Sequence, residues 1–130
     1  MRNTKNFLQK KRPEQYSNSY EYTIRDEQTS PSEKADIYFL LSDFYSYRDT
    51  AKAFAMLDSA NSFIDPKDKL YYGILTFYEA GVYFDLNIEK SQQLYMQAEN
   101  MLKDFSTPLS YEYRARLWNN YGVLEQAKDR

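Results

Sequence analysis

The side chains that could do chemistry are quickly bounded. The 130 residues contain no Cys and no His. That removes thiol and imidazole nucleophiles, a histidine general base and any Cys/His metal site. Carboxylates are plentiful, and Asp43, Asp58 and Glu79 lie closest to apolar stripes. Two carboxyls with pKa values pushed apart could run acid–base chemistry, but no spacing in the sequence singles out such a pair. There is no Gly-rich phosphate loop and no serine nucleophile motif. Neither an enzymatic role nor a cofactor is expected. The abundant reactive surface is aromatic instead, with 14 Tyr, 8 Phe and 1 Trp. Such rings pack, stack on ligands and offer phenols as hydrogen-bonding groups.

Charge is unevenly spread. Residues 1–12 carry Arg2, Lys5, Lys10, Lys11 and Arg12 without an acid, while the rest of the chain carries 12 basic and 19 acidic side chains. A basic arm can touch nucleic acid or acidic lipid. Five charges read more simply as a solubilising tail, so no nucleic-acid partner is expected. The longest strong apolar run, Ile37 to Leu41, is far short of the roughly 20 residues that span a bilayer. No apolar stretch follows the basic N-terminus as in a secretory signal. The compartment stays open, with the cytoplasm favoured.

The elements that must position these side chains are helical. With 3 Gly and 4 Pro the chain has few turn-formers, which disfavours an all-β fold. Residues 1–32 read as a flexible polar arm, although Tyr20 to Ile24 alternate and could form a short strand. Residues 33–128 read as five helices. They run from about Glu33 to Tyr47, Thr50 to Ile64, Lys69 to Asp85, Asn87 to Lys103 and Ser110 to Lys128. Ser32, Thr50 and Ser110 are the expected N-caps of three of them. Pro66 and Pro108 mark breaks.

These features recur. Pro66 and Pro108 are 42 positions apart, Ala60 and Ala98 are 38 apart, and Gly81 and Gly122 are 41 apart. A period near 40 with two helices per unit describes a helical-hairpin array. In the last helix Trp118, Tyr121 and Gly122 follow the order Trp, Leu, Gly. In the middle unit Phe77, Ala80-Gly81 and Phe84 precede Ser91, Tyr95 and Ala98. In the first unit Ile37, Leu41 and Phe44 precede Ala53, Leu57, Ala60 and Pro66. On these residues the chain resembles the tetratricopeptide-repeat (TPR) family over about 33–128, in two and a half units. Glu125 departs from the family pattern, and Leu41 stands where the first unit should have Gly. Packing explains the small residues. Gly81, Ala60 and Ala98 would let helices approach to about 8–9 Å.

The resemblance implies an all-α array whose first helices line a groove for a protein or peptide. Its groove positions here would be Tyr38, Ser42 and Tyr45, then Tyr78, Val82 and Asp85, then Arg116, Asn119, Val123 and Gln126. Amides could pair with peptide groups, rings could cover side chains, and Arg116 could meet a carboxylate. For the tyrosines the alternative is core packing. For Arg116 it is a local pair with Glu112. A sensory or scaffolding part of a bacterial regulator is implied by analogy alone. The last helix carries two apolar stripes, one with Ala115, Trp118, Tyr121 and Gly122 and one with Tyr113, Leu117 and Leu124. It therefore expects neighbours on two sides: a further helix, or a second copy in a homodimer formed through this helix. A plain capping helix is the remaining alternative. A self-associating structural module and a small-ligand or glycan binder are the other readings of function.

Overall fold

The computed structural model describes residues 24–129. They form five helices and, among the described residues, no strand: α1 (Pro31–Tyr45), α2 (Thr50–Asn61), α3 (Lys69–Tyr83), α4 (Ile88–Leu102) and α5 (Pro108–Lys128). The possible strand over Tyr20 to Ile24 lies outside this range except for Ile24, which is helical. The basic residues of positions 1–12 lie outside it entirely.

Every helix is capped by a side-chain oxygen, but three of the caps are not those expected. Ser30 caps α1 by accepting from the Glu33 N–H at 3.2 Å, and its hydroxyl donates back to the Glu33 carboxylate at 3.0 Å. Pro31 then takes the first helical position, where a missing N–H costs nothing. Thr107 and Pro108 repeat this arrangement at α5, so Pro108 opens that helix rather than breaking the chain. Asp49, not Thr50, caps α2, because its carboxylate reaches the Lys52 N–H at 3.1 Å. Asp68 and Asn87 cap α3 and α4 in the same way. The caps of the odd-numbered helices, Ser30, Asp68 and Thr107, stand 38 and 39 positions apart. Those of α2 and α4, Asp49 and Asn87, stand 38 apart.

Consecutive helices pack against each other, and α3 also touches both α1 and α5. The main core joins Phe39 of α1, Leu57 of α2, Phe77 and Tyr78 of α3, Leu94 and Tyr95 of α4, and Tyr113, Leu117 and Leu124 of α5. A second, smaller cluster places Ile37 and Leu41 against Ile24 and Met56. Helix α1 is thus buried on two sides. The buried positions of α2 and α4 correspond at the cap spacing. Ala53, Leu57, Ala60 and Ile64 match Ser91, Tyr95, Ala98 and Leu102.

Close approach happens at Gly73 rather than Gly81. A Cβ on Gly73 would stand 2.8 Å from Cδ2 of Leu102 and 3.2 Å from Cβ of Met101, which makes Gly73 the point where α3 meets α4. A Cβ on Gly81 or Gly122 would meet nothing within 4 Å. Serine hydroxyls tie neighbouring helices through backbone carbonyls. Ser91 donates to the Ala80 carbonyl at 2.7 Å, and Ser110 donates to the Leu102 carbonyl at 2.6 Å. Ser110 therefore joins the Phe105 N–H as a second donor at the C-terminal end of α4 instead of capping α5.

Candidate functional site

The odd-numbered helices form a layer in which aromatic rings are stacked across the helix boundaries. Phe39 lies on Tyr78 with centroids 5.1 Å apart and planes 9° off parallel. Phe77 and Tyr78 meet Tyr113 edge-on at 5.1 and 5.7 Å. The Tyr78 and Tyr113 phenols share a hydrogen bond of 2.9 Å. Tyr113 faces inward because it lies on the buried Ser110, Tyr113, Leu117, Leu124 side of α5. Arg116, almost one turn on, is carried over the same rings. Its guanidinium carbon lies 5.0 Å from the Phe77 and Tyr113 centroids and 5.8 Å from that of Tyr78.

Beside this stack is a pocket of about 100 Å³. Asp43 of α1, Tyr47 of the following turn, Phe77 and Gly81 of α3, Tyr95 of α4 and Arg116 and Asn120 of α5 are among its walls. Gly81 leaves the space open, since no side chain there projects into it. Asn120 is fixed by donating to the Tyr95 hydroxyl at 3.1 Å. The Asp43 carboxyl stands at the mouth, open to solvent on one side. Desolvation pushes its pKa up, and the Arg116 charge partly offsets this. The Arg116 pKa is raised although its desolvation opposes that. The Tyr78 and Tyr113 phenols and Asp43 outweigh it. Arg116 forms no ion pair among the described residues, whose salt bridges are Lys69–Asp104, Arg114–Glu99 and Lys128–Glu125.

The expected groove residues are only partly brought together. Tyr78 and Arg116 meet, but Tyr78 is buried and contributes through its packing. Ser42 and Val82 are enclosed, and the Ser42 hydroxyl is spent on the Phe39 carbonyl at 2.7 Å. Tyr38 stacks on Phe63 at 5.9 Å, and Tyr45 lies edge-on to Phe44 with Lys52 over its face, so both rings lean toward other side chains. Asp85, Asn119, Val123 and Gln126 are exposed and line none of this pocket. The sequence reading named Asp43 for its place beside an apolar stripe and missed Tyr47 and Asn120 as pocket walls. Tyr47 follows the end of α1, which stops at Tyr45 and turns it toward Asp43. Only the helix boundary could have signalled that.

The two stripes of α5 part company. Tyr113, Leu117 and Leu124 are buried, whereas Trp118 is 48% exposed and Tyr111 is 54% exposed. Trp118, matched to the family's Trp, is thus on the exposed side of α5. At the cap spacing the residue corresponding to Phe77 is Arg116. A second depression of about 480 Å³ runs along α4 and α5 past Gln92, Gln93, Met96, Gln97 and Tyr121. Arg114 and Glu99 bridge the same two helices through a forked pair at 2.7 to 3.1 Å. Among the described residues no three acidic side chains come together to hold a metal ion, and no helix is long and apolar enough to cross a membrane. Comparison with known proteins gives no match: no family model, no curated protein and no solved structure is similar to this chain.

Proposed function

We propose that this chain is a TPR-like helical repeat module that binds an extended segment of another protein along the layer formed by α1, α3 and α5. The observation that carries the reading is Arg116, a half-buried cation stacked on three rings beside an open pocket and without an ion-pair partner among the described residues. A desolvated guanidinium on aromatic faces keeps its N–H edge available for a ligand. The equal spacing of caps and the corresponding core positions of α2 and α4 support the repeat. The period of 38 to 39 exceeds the family's usual ~34 residues. Selection of random nonapeptides on the immobilised chain tests the proposal. Sequences enriched on the parent and lost on Arg116→Ala are expected. Equal recovery on both would reject it.

Self-association is a second reading, favoured by the exposed Tyr111, Ala115, Trp118 and Gly122 stripe of α5. Sedimentation of the parent as a dimer and of Trp118→Glu as a monomer would carry it. A monomeric parent would remove it.

A further inference from the structure

The chemistry of the pocket between α1, α3 and α5 narrows its ligand, and the inference rests on the peptide-binding reading above. Size comes first. About 100 Å³ is well below the ~300 Å³ at which small-molecule and cofactor sites begin, so the space takes one short side chain. Charge comes second. Asp43 and Arg116 face the same space with opposite charges, so the site is close to neutral. The two lie beyond ion-pair distance of each other, because no salt bridge joins them. Hydrogen-bond capacity comes third. The Asp43 carboxylate accepts from no described donor, and Ser46 reaches only its backbone carbonyl. Arg116 has several N–H donors, of which the Tyr78 phenol can engage only some.

A pocket offering a donor fork on one side and a bare acceptor on the other fits a group that carries both complements. A carboxylate would satisfy Arg116 and be repelled by Asp43. An ammonium would satisfy Asp43 and be repelled by Arg116. A primary carboxamide presents its carbonyl to the guanidinium and its N–H₂ to the carboxylate without adding charge. The apolar walls, Phe77 and Phe84, suit the methylene stem. We propose that this pocket receives the side-chain amide of a glutamine or asparagine in the bound peptide, held between Arg116 and Asp43.

The test is nuclear magnetic resonance of the full chain, titrated with N-acetyl-glutamine-N-methylamide and with its glutamate counterpart. The Arg116 Nε–H resonance should shift saturably with the glutamine derivative and at least ~10-fold more weakly with the glutamate one. Asp43→Asn removes the anion at the mouth and should reverse that preference. Gly81→Leu fills the space and should abolish both responses, with circular dichroism checking its fold. Arg116→Lys, which keeps the charge and loses the fork, should weaken the glutamine response ~10-fold and serves if Gly81→Leu does not fold. Equal responses to the two derivatives, no response to either, or an unchanged preference in Asp43→Asn would overturn the inference. Peptide selection separates it from the broader reading. Enriched peptides without a fixed amide keep the groove and reject the amide pocket. An amide response without enriched peptides does the reverse.

Discussion

The phenol oxygens of Tyr78 and Tyr113 lie 2.9 Å apart in the core, and both rings are about 95% shielded from solvent. Residues 35 positions apart, on α3 and α5, are thus joined by a polar contact inside an aromatic layer. Burial and the partner phenol push the Tyr113 pKa far above its ordinary value.

The first prediction concerns this pair. Tyr113→Phe removes the phenol partner of the Tyr78 hydroxyl, with Arg116 still beside it, and should cost about 0.5–1.5 kcal/mol. Tyr78→Phe should cost a similar amount. Replacing both removes the polar groups together, so the double variant should be closer to the parent than the sum of the singles. Urea unfolding of the four proteins gives the coupling directly.

The glycines of α3 should behave oppositely. Gly81→Ala meets open space and relieves the glycine's entropy cost, so it should stabilise the chain by about 0.5–1 kcal/mol. Gly73→Ala drives a methyl into Leu102 and should destabilise it by about 1–3 kcal/mol. Thermal melting of both variants against the parent reads the two signs. Melting changes of the same sign would refute the contrast.

Ser110 gives a third prediction. Its hydroxyl serves the Leu102 carbonyl at the end of α4, in a fully buried position. Ser110→Ala should cost about 0.5–1.5 kcal/mol by removing that bond, since the carbonyl keeps the Phe105 N–H at 3.1 Å. Ser32→Ala, at a position expected to cap α1 that proves exposed, should change the unfolding free energy by less than about 0.5 kcal/mol.

Alkaline pH should unfold the chain through its buried phenols. Tyr95 is pushed up to about 12 from an ordinary 10.0, mainly by burial, with the Asn120 hydrogen bond working against the shift. Tyr71 moves upward as well, through burial first and then the charge of Asp36. A raised pKa contributes stability that is intact below pH 10.0 and lost as pH rises through about 12. Phenolate absorbance and helical circular dichroism should therefore change together in that window. Phenolate forming fully while the helices persist would contradict this.

The helices were legible in the sequence because helical spacing of apolar residues survives in all five. Their ends were not. Ser30 and Ser32 are both acceptable caps, and Pro31, which suits the first helical position, decides in favour of Ser30. Thr107-Pro108 resolves in the same way, so Ser110 was free for another role. The inward stripe of α5 was harder, since two apolar faces competed. The hydrogen bond of Tyr113 and the closure of Leu117 settled which one faces the core. At the site, Tyr78 and Arg116 were named together, yet the pocket depends on Gly81 and on the turn that carries Tyr47. Those are properties of helix length and empty space, which no single residue type announces.

Pocket placement also bears on how the two ends of the chain unfold. Helices α1 and α5 are joined chiefly through α3, and the pocket draws walls from all three. A side chain held between Asp43 and Arg116 would span that gap as a strut. Such a partner would act as a piece of this protein's own architecture. Opening either end would first require releasing it, so occupancy would make the first and last helices melt as one cooperative unit.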